Sequence, residues 1–358
     1  MSLRKMLIAS KMSAFGSGNS GGGNSGEQEE SWFNDGNTHI WISLPEGRTS
    51  PMLGVGVNGT ATIDWGDGSA PDTLTGTNVK LTLYTPTHEY GKAGDYVITV
   101  SGGQIGFKGS GSSGGPYFLR ASSASSYLKD TDFVYAHAIT KIELGTNVIK
   151  LGSYSFVNCD SLEHFRFAEG SMEMDSEAFR HCRSLESVHI CGTTHTSISS
   201  DNSAFSRCSA LKSVTLGTGV DHIGKQWFYD CNALKSIVIP DSATIIRDEA
   251  FYNCYALQSI VIPDGVTSIG AKAFYNCESL TRVMFPKSVT SIGAQAFYLC
   301  YSAFSFDFSK HTAVPTLSGE MAFNSIGGDF KILVPSALVD EWKAATNWSA
   351  YASNIVGV

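Results

Sequence analysis

The hydrophobic positions in the second half of the chain repeat at intervals of 23 or 26 residues. Most units contain a phenylalanine, a cysteine three residues later, a leucine six residues later, and apolar residues nine and eleven positions on. The phenylalanine column consists of Phe156, Phe179, Phe205, Phe228, Phe251, Phe274, Phe297 and Phe323. A unit of this size cannot bury its own apolar face, so the pattern predicts a solenoid of stacked units.

Each unit predicts one strand and one turn. Ser236–Pro240 alternates between outward and inward positions and ends at a proline, which cannot donate to a β-ladder. One such strand in each unit predicts a parallel sheet along one face of the solenoid. The Phe-x-x-Cys-x-x-Leu segment advances in steps of three, which predicts a short helical turn packed under that sheet. Ile269–Gly270 is the predicted return corner.

Seven of the eight cysteines occupy one column of the repeat: Cys159, Cys182, Cys208, Cys231, Cys254, Cys277 and Cys300. Seven thiols cannot pair completely, and their separation is far longer than the short spacings of metal ligands. We therefore predict a line of small, buried, reduced thiols. Cys191 stands outside the column, where neighbouring units have proline, and is predicted to be exposed.

The columns I-G-x-x-A-F-x-x-C-x-x-L-x-x-[VI]-x-I-P resemble the BspA-like leucine-rich repeats. Ile269–Pro286 contains them all, apart from Phe285 at the last isoleucine position. The resemblance covers about residues 133–334. It implies a right-handed leucine-rich-repeat solenoid and a family composed mostly of bacterial surface and secreted proteins that bind host or matrix ligands. Some members of this family are phage-associated.

The first third of the chain has a different pattern. Residues 14–30 are rich in Gly and Ser, as in a flexible tail, and residues 38–101 contain short alternating strands separated by turn residues, which predicts a small β-sandwich. Three segments resemble a PKD domain: the IDWGDGS segment Ile63–Ser69, Thr87–Tyr90 and Gly94–Val100. The resemblance implies an immunoglobulin-like spacer or adhesion module. Its aspartates Asp64, Asp67 and Asp95 could hold calcium or could fix tight turns without an ion.

The predicted fold is therefore mainly β with short helices. It comprises an N-terminal immunoglobulin-like (PKD-like) β-sandwich, a right-handed leucine-rich-repeat solenoid and a C-terminal capping helix. The capping helix is predicted from Leu338, Trp342 and Ala345, which share one helical face. The predicted boundaries are 1–37 for the tail, 38–101 for the sandwich, 102–132 for a linker and N-terminal cap, 133–334 for the solenoid and 335–358 for the C-terminal cap.

Composition and charge reduce the range of possible functions. The net charge of −8 and the absence of basic runs argue against a nucleic-acid partner. No apolar run is long enough for a transmembrane segment, and Met6–Ala9 is shorter than the apolar core of a signal peptide, so none is evident. The histidines lack metal-binding spacing and no catalytic triad stands out. We expect no cofactor, no metal and no enzyme activity.

Two outward-facing columns are candidate binding surfaces. Solenoids usually bind on the concave sheet, where the outward strand position and its polar edge contain His189, Thr215, Val238, Val261, Arg282 and Met284. The alternative is that Val238 and Val261 are there only because β-formers suit strands. The second column follows the phenylalanines and contains Tyr229, Tyr252, Tyr275 and Tyr298. These rings could stack on sugars or proteins, or could simply shield the coil, which we favour.

The leading functional hypothesis is a non-enzymatic adhesion protein, extracellular or at the cell surface, that presents a recognition solenoid to a protein or glycan ligand. One alternative is a structural or receptor-binding component of a phage or prophage particle. Another is a polysaccharide-binding accessory module, which would suit the tyrosine column.

Overall fold

The computed structural model describes residues 32–33, 35–44, 46, 51, 53, 55–77, 82–84, 86–107, 138–167, 173–174, 176–190, 203–319 and 321–358. The predictions for the tail at residues 14–30, for the linker beyond Phe107 and for Cys191 lie outside these ranges. Within them, residues from Gly36 onward belong to one compact unit.

In the described ranges, the regular structure consists of twenty-two strands, one short α-helix and two 3₁₀ turns. Five strands precede the repeats: β1 (Thr38–Leu44), β2 (Val55–Asp64), β3 (Asp72–Gly76), β4 (Thr82–Tyr84) and β5 (Gly94–Phe107). The long strand of each repeat then belongs to a main parallel sheet: β6 (Ile139–Leu144), β8 (His164–Phe167), β10 (Ser187–Ile190), β11 (Ser213–Leu216), β13 (Ser236–Val238), β15 (Ser259–Val261), β17 (Arg282–Met284), β19 (Ser305–Asp307), β21 (Lys331–Val334) and β22 (Ile355–Gly357).

The main sheet has the register that the repeat predicts. Ile237 of β13 pairs with Ile260 of β15, and Val238 with Val261, so each side chain lies beside its equivalent in the next repeat. The isoleucines are buried and the valines are exposed. The prediction of a mainly β solenoid is confirmed, and it has about nine turns.

A second parallel column of short strands lies at the predicted return corner. It contains β7 (Val148–Leu151), β9 (Glu173–Met174), β12 (His222–Ile223), β14 (Ile245–Ile246), β16 (Ser268–Ile269), β18 (Ser291–Ile292) and β20 (Thr316–Leu317). Strands β12, β14, β16, β18 and β20 form one sheet, with Ile246 beside Ile269 and Ile269 beside Ile292. The sequence analysis predicted only a corner here, because a two-residue strand is too short for its side chains to alternate visibly.

The Phe-x-x-Cys-x-x-Leu segment is a series of turns and not a helix, which corrects the prediction of a helical turn. Cys254 N donates to Phe251 O and Leu257 N donates to Cys254 O, as in a helical turn, but Glu249 and Asn253 have φ of 56° and 58°. These left-handed residues turn alternate backbone N–H groups toward the next repeat, where Phe251 N donates to Ala273 O at 2.8 Å. A third hydrogen-bonded ladder therefore joins successive turns of the solenoid.

The core is a stack of equivalent side chains. The ring of Phe251 lies parallel to those of Phe228 and Phe274, with centroids 5.4 and 5.1 Å apart. Cys254 and Leu257 lie beside this stack and are completely buried. The apolar columns of successive repeats therefore form one continuous core.

The strands before the repeats are hydrogen-bonded to the first turns of the solenoid. Strand β1 pairs antiparallel with both β5 and β6, and the end of β5 pairs in parallel with β7. Gly102 and Gly103, both with positive φ, lie where the pairing of β5 with β2 shifts register. Strand β5 extends to Phe107, beyond the predicted boundary at residue 101. The domain boundaries remain predictions.

The end of the solenoid is covered by a short helical segment. A 3₁₀ turn (Ser336–Leu338) leads into helix α1 (Val339–Ala344), and a second 3₁₀ turn (Ser349–Tyr351) precedes β22. Trp342 of α1 is completely buried, with its ring 5.0 Å from that of Phe308. Trp348, which the sequence analysis did not single out, also packs on Phe308.

Candidate functional site

The outward side of the main sheet carries a row of exposed apolar side chains at its centre. Val238, Val261 and Met284 have exposed fractions of 74%, 73% and 50%. In the strand pairing, Val238 lies beside Val261 and Val261 lies beside Met284. We call these three residues the strand-face stripe. In each of the three strands, the residue just before the stripe residue is buried. Because side chains alternate along a strand, the stripe residues point outward.

The stripe ends at an ion pair on its C-terminal side. Arg282 donates to the carboxylate of Asp307 at 2.7 Å, and Ser309 N donates to the other carboxylate oxygen at 3.0 Å. Burial alone would raise the pKa of Asp307, but these hydrogen bonds from Ser309 and Arg282 lower it. Asp307 is therefore a buried anion that holds the Arg282 guanidinium at the edge of the stripe.

On the N-terminal side, the outward column becomes polar. Thr215 pairs with Val238 and is exposed, and His189 pairs with Thr215 and is half-buried. The six residues predicted as a binding surface therefore lie in consecutive strands of one sheet, from β10 to β17. Their role in binding remains a prediction.

The tyrosine column is a stack of half-buried rings on a different face. The ring centroids of Tyr229 and Tyr252 are 4.8 Å apart, and those of Tyr252 and Tyr275 are 4.6 Å apart. The centroids of Tyr275 and Tyr298 are 5.2 Å apart. The ring planes lie within 4° to 20° of parallel. Burial raises the pKa of Tyr252 to about 12. The rings therefore cover one another's faces along the stack.

One feature beside this stack was missed by the sequence analysis. In the repeat before that of Tyr229, the residue that follows the column phenylalanine is Ser206. A polar cavity of about 260 Å³ lies at this position. The signal was present in the sequence, as a short side chain in a column of long ones. The run of tyrosines begins only at Tyr229, one repeat later.

The described part of the chain contains no group of three His, Cys, Asp or Glu side chains that could hold a metal ion. Asp64 and Asp67 accept hydrogen bonds from Gly66 N and Ser69 N, as turn-fixing aspartates do. The seven column cysteines are unpaired and buried, in agreement with the sequence. No helix among the described residues has the length and apolarity to cross a bilayer.

Solved structures of leucine-rich-repeat proteins match parts of this chain. A leucine-rich repeat protein from Bacteroides ovatus has 21% identity and a TM-score of 0.42, over 55% of this chain and 56% of that one. The T. pallidum leucine rich repeat protein has 21% identity and a TM-score of 0.37, over 52% and 81%. A leucine rich cell surface protein from Faecalibacterium prausnitzii has 20% identity and a TM-score of 0.30, over 60% and 80%.

This chain thus spans just over half the length of the B. ovatus protein. No curated protein matches the sequence. The family of BspA type leucine rich repeat regions matches with six copies, over residues 126–257 and 244–327. These residues are more than half of the sequence and contain the stacked Phe, Cys and Leu columns, so the chain belongs to the BspA-type leucine-rich repeat family.

Proposed function

We propose that this protein is a non-catalytic binding protein that recognises a partner protein through the strand-face stripe. The observation that carries the proposal is the exposure of Val238, Val261 and Met284 on three adjacent strands. A contiguous exposed apolar patch rimmed by polar groups is typical of an interaction site. Leucine-rich-repeat proteins generally bind protein ligands. A protein partner also suits an apolar stripe better than a glycan would.

The residues around the stripe supply the polar contacts of such a site. Arg282, held by Asp307, presents a guanidinium at one end, while Thr215 and His189 lie at the other. The preference of β-branched residues for strands accounts for Val238 and Val261 but not for Met284, which is neither β-branched nor aromatic. An apolar centre with a polar rim is the usual anatomy of a protein interface.

We further propose that the strands before the repeats form a PKD-like module. Its motif residues pack together: the Trp65 indole donates to Asp72 at 2.9 Å, Tyr90 Oη donates to Trp65 O at 2.8 Å, and the His88 ring stacks on Trp65. Because β1 and β5 pair with β6 and β7, the module would also cover the N-terminal end of the solenoid.

We also propose that the protein is extracellular or displayed at the cell surface, as is typical of the family. Antibody labelling of intact cells of the source organism tests this location. Labelling that requires permeabilised cells would contradict it.

The stripe is tested by the double variant Val238→Glu/Val261→Glu. Two charges at the centre of the stripe should abolish capture of a partner on an array of purified extracellular proteins and glycans, because interface energy concentrates in a few central residues. Both side chains are exposed, so the melting temperature should change little.

The matched control is Thr244→Glu/Thr267→Glu, which adds two charges at exposed positions in consecutive repeats but away from the stripe. This control should bind as the wild type does. Undiminished binding by the stripe variant, or equal loss in both variants, would refute the assignment of the site.

A further inference from the structure

One short side chain interrupts a column of long ones on the turns of the solenoid. The residue after the column phenylalanine is Arg180 in one repeat, Ser206 in the next and Tyr229 in the one after. The cavity of about 260 Å³ is lined by these three residues and by Glu177, Ser203, Arg207 and Gln226. None of the seven belongs to the main sheet, so the cavity is separate from the strand-face stripe.

The cavity contains a buried hydroxyl group without a partner. Ser206 has an exposed fraction of 5%. Its backbone N–H donates to Ser203 O at 3.0 Å, and its carbonyl oxygen accepts from His181 N at 2.9 Å. Its hydroxyl, in contrast, forms no hydrogen bond with any other described residue. Buried polar groups in folded proteins normally have a partner, so this hydroxyl is available to a bound polar ligand.

The lining carries more positive than negative charge. Arg180 and Arg207 contribute two guanidinium groups, whereas Glu177 contributes the one carboxylate of the lining. This excess of positive charge contrasts with the net charge of −8 on the whole chain. The neighbouring His181 experiences the same local potential. Burial lowers its pKa, and the positive charges of Arg180 and Arg207 lower it further.

Both guanidinium groups retain N–H donors that no described residue uses. Arg180 donates to Glu177 at 2.5 Å from one terminal nitrogen and makes no other hydrogen bond to the described residues. Nη1 of Arg207 lies 3.4 Å from His181 Nε2, and its Nε lies 3.5 Å from the carboxylate of Asp230, which is outside the lining. A guanidinium group has five N–H donors, so most of them remain available to a ligand.

We propose that this cavity, which we call the Ser206 site, binds an oxyanion: a carboxylate, sulfate or phosphate group on a small polar molecule such as an acidic sugar. Guanidinium groups bind oxyanions through charge-assisted hydrogen bonds, often two at a time. The hydroxyl of Ser206 supplies a further donor. A neutral molecule would lack the attraction of the excess positive charge, and a cation would be repelled by it.

The volume of the cavity agrees with a small molecule that carries the oxyanion. A water molecule takes up about 30 Å³ in the liquid, so about 260 Å³ is more than a single inorganic ion requires. The volume also lies below the roughly 300–1,000 Å³ of pockets for drug-sized molecules. The space therefore suits an oxyanion together with one sugar-sized unit.

The test is calorimetric titration of the full chain with sulfate, phosphate, glucuronate and glucose 6-sulfate, with glucose and glucosamine as neutral and cationic controls. At least one anion should bind with a Kd of about 1 mM or tighter at low salt, and both controls should bind at least about tenfold more weakly. Added salt should weaken the binding of the anion. Tighter binding of the sugar anions than of the inorganic ions would identify an acidic sugar as the source of the oxyanion. Equal binding would identify a free anion.

Matched arginine variants locate the site. Arg180→Gln and Arg207→Gln should each weaken the binding of the anion at least about tenfold, because each removes one guanidinium group from the lining. Arg183→Gln is the control. It removes an exposed guanidinium group that pairs with Asp160 outside the lining, so it should change the affinity by less than about twofold.

Ser206→Tyr separates binding in the cavity from attraction to the surface charge. It fills the cavity but keeps every arginine, so it should also lose binding. Tyrosine occupies the equivalent position in the next four repeats, so this variant is expected to fold. Val238→Glu/Val261→Glu should retain anion binding, which makes this site testable independently of the stripe. The proposal is overturned if no anion binds, if glucose binds as tightly as the anions, or if Arg180→Gln and Arg207→Gln bind as Arg183→Gln does.

Discussion

The thiol of Cys254 donates a hydrogen bond to the carbonyl oxygen of Phe228 in the preceding repeat, with a sulfur–oxygen distance of 3.1 Å. The same oxygen accepts the backbone N–H of Cys231. Equivalent thiol bonds recur from Cys182 to Cys300 at 3.1 to 3.3 Å. Cysteine suits this column because it is small and apolar but still offers a weak donor to a buried carbonyl group.

We expect the column thiols to be unreactive in the folded protein. All seven are completely buried and therefore out of reach of a reagent. Burial also raises the pKa of the Cys300 thiol to about 12, which removes the reactive thiolate there. Hydrogen bonds with Cys159 and Cys208 lower the pKa of Cys182, so for that thiol the prediction depends on burial from the reagent alone. In a Cys191→Ser variant, titration with a thiol reagent should detect no fast-reacting group before denaturation and seven afterwards. Several fast-reacting thiols in the native protein, or intramolecular disulfides in its mass spectrum, would contradict this prediction.

Phe251→Ala should destabilise the protein strongly. The ring is completely buried between two parallel neighbours, so its removal costs about 3–5 kcal/mol through lost burial and a cavity. Denaturant melts measure the loss, provided that unfolding is two-state. Tyr252→Ala, one residue along and half-buried, is the matched control and should cost clearly less. Equal losses would mean that the inward face has been misassigned.

The parts of the fold that depend on a long repeated pattern could be predicted from the sequence. Phe251, Cys254 and Leu257 keep their spacing over many repeats, so their common inward direction was evident without a structure. The second sheet was not predicted because Ser268–Ile269 is too short to show an alternation. The helical turn was wrong because the spacing of Phe251 and Cys254 does not reveal the positive φ of the residue between them, Asn253.

One candidate site could likewise be predicted from the sequence, and other features of the surface could not. The outward direction of Val238 and Val261 follows from strand alternation, so the stripe could be found from sequence. The polar cavity at Ser206 was not predicted, because it arises where one repeat departs from its column and a regular period draws attention only to the positions that agree. The pairing of Arg282 with Asp307 also required the structure, since the sequence gives no information on which side chains turn toward each other across strands.

Lys272→Gly should be neutral or slightly stabilising. Lys272 has a φ of 54°, a conformation that costs non-glycine residues about 1–2 kcal/mol, whereas glycine adopts it without strain. The entropy that glycine loses on folding, about 0.5–1 kcal/mol relative to alanine, offsets part of the gain. Ala271→Gly, at the preceding residue without positive φ, is the control and should destabilise. If Lys272→Gly proves as destabilising as Ala271→Gly, the left-handed assignment of the turn is incorrect.

The strands before the repeats should lose stability in acid when the Asp67 carboxylate is protonated. His88 Nε2 lies 2.8 Å from Asp67 Oδ2, and this hydrogen bond, with those from Ser69, lowers the pKa of Asp67 from 3.8 to about 2. Because its pKa is lower in the folded chain, Asp67 stabilises the fold above pH 3.8, and this contribution disappears as the pH falls toward 2. Melting temperatures measured across this interval should therefore fall more steeply for the wild type than for Asp67→Asn. Identical pH profiles for the two proteins would show that the Asp67–His88 pair does not contribute to stability.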